Sequence, residues 1–208
     1  RATTQASRNI AIGSQAMHGN FTTAAVVDCV AIGQTAMDAT LTAGASGSVA
    51  IGSSALSALT SAAGNVAVGY ETGKVLTTGA NNVLVGRQAG LDLTTGGNNV
   101  FIGEQAAGNG TLAGQNVVIG YHAGSGDNGG SAWTGDYNVV VGHDAGQKMT
   151  GNDSNHNTFV GFETGTASTT GANNTLMGSS AGKALTSGTH NTSVGYLAMA
   201  NSTVTGHS

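Results

Sequence analysis

Six histidines, one cysteine, one tryptophan and ten carboxylates are the side chains from which this 208-residue chain would build any reactive centre. The histidines (His18, His122, His143, His156, His190 and His207) show no metal-ligand spacing. His143 and Asp144 are adjacent, which on a strand turns them to opposite faces and rules out an acid–base pair. Asp127, Asp136 and Asp153 lie in Gly- and Asn-rich turns whose oxygens suit a divalent cation, but they do not repeat in register. Cys29 is alone and has no intrachain partner. Neither a phosphate-binding loop nor a His-Glu-x-x-His pattern occurs. The expectation is a protein with no catalytic residue, no cofactor and no metal.

One segment carries recognition chemistry. Residues 122–137 hold a surface insertion with the only tryptophan. Trp133 beside Asp127, Asn128 and Asp136 would stack on a sugar ring and hydrogen-bond its hydroxyls, which makes a surface glycan or receptor a candidate partner. The competing expectation is that Trp133 folds back over the body of the protein. Tyr70, Tyr121, Phe162 and Tyr196 share another position, considered below.

What must position these residues is a repeat. A block reading polar, apolar, any, apolar, Gly recurs eleven times, with Asn65-Val66-Ala67-Val68-Gly69 as one instance. Spacings between its glycines are 20, 19, 17, 17, 17, 17, 22, 19, 17 and 17, so the unit has 17 residues with tolerated insertions. Such a unit has room for two short strands and two tight turns, but not for a helix as well. The expected fold is all-β: a parallel β-solenoid, or β-roll, of about eleven two-strand coils over residues 1–208. The second strand of each coil would be the segment typified by Val75-Leu76-Thr77-Thr78. Asn65, Asn82, Asn99, Asn116, Asn138, Asn157, Asn174 and Asn191 recur at one place and would stack as a hydrogen-bonded ladder, with Cys29 and Ser48 filling the same place earlier.

Composition agrees with that design. The chain has 35 Gly and no Pro, because tight corners need positive φ and central strands need every N–H. Collagen is excluded, since Gly does not recur every third residue. Six scattered cations and a net charge of −4 argue against nucleic acid as a partner. No apolar run approaches membrane-spanning length, so membrane insertion is not expected.

Orientation on the strand suggests association. If positions one and three (Val83 and Val85) fill the interior, position two faces out. Position two holds Ala11, Ala31, Ala50, Ala67, Leu84, Phe101, Val118, Val140, Phe159, Leu176 and Ser193. Its large members, Leu84, Phe101, Val118, Val140, Phe159 and Leu176, would then form an apolar seam between identical rods.

The Asn-Val-Ala-Val-Gly blocks resemble repeats in the heads of trimeric autotransporter adhesins. The longer unit, Gly86-Arg87-Gln88-Ala89-Gly90 followed by Leu93-Thr94-Thr95-Gly96 and Asn98-Asn99, is similar to phage tail-fibre and surface-fibre repeats. The resemblance implies left-handed coils, three chains packed side by side and an extracellular setting on a virion fibre or cell surface. It implies no catalytic residue. The expected function is a non-enzymatic shaft or head of an extracellular fibre, partnered by itself as a homotrimer. The alternative is a filament subunit that polymerises end to end through open solenoid edges. The chain opens at Ala2-Thr3-Thr4 as if on a second strand and closes where the next Asn would begin, as expected for a segment of a longer fibre. Ice binding through the Thr pairs is a third and weaker reading, because that row breaks at Leu112-Ala113-Gly114.

Overall fold

A computed structural model describes residues 7–19, 25–111, 113–126, 133–150 and 154–203. Eleven three-residue strands follow one another: β1 (Ile10–Ile12), β2 (Val30–Ile32), β3 (Val49–Ile51), β4 (Val66–Val68), β5 (Val83–Val85) and β6 (Val100–Ile102). Then come β7 (Val117–Ile119), β8 (Val139–Val141), β9 (Thr158–Val160), β10 (Thr175–Met177) and β11 (Thr192–Val194). All lie in one parallel sheet in sequence order. Each residue pairs with its equivalent in the next block, for example Leu84 with Phe101 and Phe101 with Val118. The chain is therefore an all-β parallel solenoid. Insertions such as 122–137 lengthen a coil without shifting this register, since β7 and β8 still pair Val118 with Val140.

Among the described residues each coil contributes one strand, not two. The expected second strand is a turned segment stitched to its neighbours by single bonds. Thr77 N–H donates to the Thr94 carbonyl at 2.8 Å, and Thr94 N–H to that of Thr111 at 2.8 Å. The adjacent Leu93 N–H is committed to a local bond with the Gly90 carbonyl at 3.1 Å, so a run of ladder bonds cannot form. Threonine hydroxyls compensate: Thr77 Oγ1 donates to the Thr94 carbonyl at 3.0 Å.

The sharp corner after each strand requires glycine. Gly86 has φ +131°, and a Cβ there would lie 2.5 Å from the carbonyl oxygen of Gly103 in the next coil. Both conformation and space exclude a side chain.

Side-chain orientation reverses one expectation. The middle residue of the strand points inward: Leu84, Phe101, Val118, Val140, Phe159 and Leu176 are all fully buried within the single chain. They form the core and are not an outer seam. Alternation fixes only that neighbours face opposite ways; the direction of the corners decides which face is enclosed. The coil encloses one strand side chain and fills the rest of its core from its corners, Ala89 and Leu93 joining Leu84 in the same buried cluster.

The core also follows a size rule between two places six residues apart. Ala31 is matched with Met37 and Ala50 with Leu56, whereas Leu84, Val118, Val140, Phe159 and Leu176 are matched with Gly90, Gly124, Gly146, Gly165 and Gly182. The rule changes over at Ala67 and Gly73, both small. There the space is taken by Leu56 and Leu84 leaning in from the coils on either side, 3.0 Å and 2.7 Å from where a Gly73 Cβ would be. Most coils thus trade volume between the two places, and Phe101 with Ala107 is the coil filled from both.

Candidate functional site

The asparagines form a continuous buried column. Asn99 Nδ2 donates to Asn82 Oδ1 at 3.0 Å and to the Ala113 carbonyl at 2.9 Å, while Asn99 Oδ1 accepts from the Asn116 N–H at 3.0 Å. The same bonding links Asn65 to Asn82 and runs through Asn116, Asn138, Asn157 and Asn174 to Asn191. Every amide is therefore satisfied without water, which is what makes burial of so many polar groups affordable. In the earlier coils shorter groups stand in: Ser48 Oγ donates to the Ala62 carbonyl at 3.2 Å and accepts from Asn65 N–H at 3.3 Å. Cys29 is buried, its Sγ 3.4 Å from the Ala45 carbonyl, and burial pushes its thiol pKa up. That is a packed thiol and not an activated one.

Positions one and three of the strands build the outer face of the sheet. One row runs Ile10, Val30, Val49, Val66, Val83, Val100, Val117 and Val139, then turns to Thr158, Thr175 and Thr192. The other runs Ile12, Ile32, Ile51, Val68, Val85, Ile102, Ile119, Val141, Val160, Met177 and Val194. Val83 is 36% exposed and Ile102 37%, and none of the 22 side chains is buried. Both faces of the strand are apolar in the sequence, so this surface is written there as plainly as the enclosed one.

The described residues of the insertion do not assemble the expected sugar site. Trp133 is fully buried, its ring against Gly110 and Gly124, as in the expectation that it folds back over the body. A buried ring offers no face to a ligand. Asp136 Oδ1 accepts a 2.7 Å bond from Gly114 N–H, and its own N–H donates to Asn155 Oδ1, so it stitches coils together. Asp127 and Asn128 lie outside the described residues, as does Asp153.

A different cluster forms one corner further on. Tyr121 and His122 stack with centroids 4.0 Å apart, Tyr121 and His143 at 5.0 Å, and His143 and Phe162 at 5.4 Å. His143 Nδ1 lies 3.0 Å from Asp144 Oδ2, and His122 Nδ1 4.0 Å from Asp144 Oδ1. The expectation that His143 and Asp144 point apart fails because they occupy a corner, where Asp144 has φ +53°, and not a strand. Asp144 also accepts from Gln147 Nε2 at 3.1 Å. Among the described residues no three His, Cys, Asp or Glu side chains gather in a way that would hold a metal ion.

A further motif lies at Gly178-Ser179-Ser180-Ala181-Gly182, whose spacing matches the Gly-x-Ser-x-Gly of hydrolase nucleophile elbows. Its context differs. No helix follows β10, and the corner occupied by Ser180 carries Glu71, Gln88 and Glu163 in other coils. The motif is a repeat corner that happens to contain serine.

No helix among the described residues is long and apolar enough to cross a membrane. The fold thus defines a parallel β-solenoid with a buried amide column and an aliphatic outer sheet face. Comparison with protein-family models, curated proteins and solved structures finds no match to this chain.

Proposed function

We propose that the chain is a non-enzymatic structural shaft of an extracellular fibre, whose rods associate side by side as a homo-oligomer through the outer Val/Ile face. The observation that carries this reading is the length of that face: one row is aliphatic along all eleven strands and the other along the first eight. Three residues per strand at ~3.3 Å and strands ~4.8 Å apart make a plane of roughly 10 by 50 Å. Its footprint of about 500 Å² is at the upper end of the largest apolar patches on monomers. It is also more than half of the ~800 Å² that each partner contributes to a stable interface. Flanking corners would supply the remainder.

The mechanism is mechanical. Parallel ladder bonds, the Asn column and the interlocked core tie each inner coil to the coil on either side of it. β-branched side chains on a flat sheet lose little rotamer freedom on association. Two-fold and three-fold packing both cover the same face on every rod, and the resemblance of the repeats to trimeric fibre heads favours the three-fold arrangement.

Mass photometry of the purified chain, alongside the double variant Ile102→Glu/Val139→Glu, tests the reading. Discrete trimers that fall to folded monomers in the variant support it. Oligomers unchanged by the two charges would overturn the seam, and polymers that lengthen with concentration would favour end-to-end assembly.

A further inference from the structure

Phe162, Ser179 and Tyr196 occupy one column of the rod. Each lies two residues beyond the paired strand residues Val160, Met177 and Val194. Corner bonds keep them in step: Ser180 N–H donates to the Phe162 carbonyl at 2.8 Å, and Leu197 N–H to the Ser179 carbonyl at 3.0 Å. In the two preceding coils the same column holds Tyr121 and His143. Those rings stack at 5.0 Å with planes 25° apart, and His143 continues onto Phe162 at 5.4 Å and 30°. One coil's rise is therefore one ring-stacking step, and the rings lie across the rod axis.

At Ser179 the column of rings is interrupted for a single coil. Phe162 and Tyr196 stand on either side, 51% and 76% exposed. Two strand spacings separate them, roughly 10 Å, which leaves a slot one ring thick with Ser179 as its floor. Ser180 lies beside that floor, and the Glu163–Lys183 ion pair spans the same coils.

We infer that this slot binds one pyranose ring of a glycan, held between Phe162 and Tyr196. A pyranose presents axial C–H bonds to each side, and their partial positive charge suits the negative faces of aromatic rings. Its equatorial hydroxyls project around the rim, where the Ser179 hydroxyl, the Glu163 carboxylate and the Lys183 ammonium supply acceptors and donors. A few polar groups around an apolar clamp is the usual composition of a small-ligand site. An aromatic side chain from another protein would use the clamp but bring no hydroxyls to the Ser179 floor or to the ion-paired rim, so the sugar fits the whole site better. The inference is independent of the fibre reading, and it uses none of the residues of the insertion around Trp133.

Saturation-transfer difference NMR on the full chain tests it, with the methyl glycosides of glucose, galactose, mannose and N-acetylglucosamine as probes and N-acetyltyrosinamide as the aromatic comparison. At least one glycoside should receive saturation at its axial C–H protons. Ser179→Phe, which completes the column with a ring and leaves both walls in place, should abolish that transfer. Tyr196→Ala, at an exposed position, should weaken binding tenfold or more and keeps the test decisive should Ser179→Phe fold poorly by circular dichroism. No transfer to any of the four glycosides overturns the inference. So does unchanged binding in a folded Ser179→Phe chain, or binding of N-acetyltyrosinamide alone.

Discussion

A Cβ on Gly182 would sit 2.7 Å from Cδ1 and 3.0 Å from Cδ2 of Leu176, so the leucine fills the space that a side chain at the corner would need. One coil later the arrangement is inverted: Ser193 is small, and Met199 occupies the corner with φ +53°. Met37, opposite Ala31, does the same at φ +50°. The corner therefore accepts a long side chain in the left-handed conformation opposite a short strand residue, as at Met37 and Met199.

That relationship predicts a compensated pair. Leu176→Ala should cost about 2–5 kcal/mol by opening a cavity, and Gly182→Met alone should clash with Leu176. The double variant should recover most of the loss, less ~1–2 kcal/mol for the left-handed backbone of a non-glycine residue. Denaturant unfolding of all four chains completes the cycle. Additive losses would disprove the volume exchange.

The amide column predicts a pH-dependent variant. Asn99→Ala leaves the Asn116 N–H and the Ala113 carbonyl without their side-chain partner, each at a cost of about 1–3 kcal/mol. Asn99→Asp is more informative. Its carboxylate would face two acceptors, Asn82 Oδ1 and the Ala113 carbonyl, and burial raises the pKa of such a group. Protonation restores a donor, so stability should be lowest at neutral pH. It should return as pH falls through the raised folded value toward the unfolded value of about 3.9. Thermal melts of Asn99→Asp from pH 7 to pH 3 that run parallel to wild type would contradict the bonding assigned to the column.

Asp92 gives the corresponding effect in the native protein. Burial alone pushes its carboxyl pKa up. With the folded value above the unfolded one, folding takes up a proton, and the native chain loses stability as pH rises through that window. Asp92→Asn should therefore melt higher than wild type at pH 7, and the gap should close below the ordinary carboxylate range. A gap independent of pH would assign the gain to something other than desolvation.

Adjacent strand residues should respond in opposite ways to charge. Leu84→Asp places an unpaired carboxylate in the closed core and should abolish the cooperative transition. Val83→Asp faces outward and should leave the fold of a single rod intact while weakening association between rods. Circular dichroism and mass photometry on the two variants separate these outcomes, and unfolding of both would contradict the face assignment.

Much of this protein was legible in one dimension. A glycine every 17 residues, with insertions, determines a coil length, and coils of equal length stack in register by themselves. The parallel order of the strands and the Asn column follow directly, because in-register stacking brings identical residues together. The second segment has the Thr and Leu content of a strand, while the local bond from Leu93 to the Gly90 carbonyl that turns it depends on a left-handed corner.

What the tertiary structure alone decided is which side of each strand is inside. In the chain, Val83, Leu84 and Val85 are equally apolar, and alternation assigns two faces without choosing between them. The direction in which the corners close makes that choice. It encloses Leu84, releases Val83 and Val85 to the outer face, and brings Phe162 and Tyr196 to either side of Ser179. Period determines the solenoid; closure determines its surfaces.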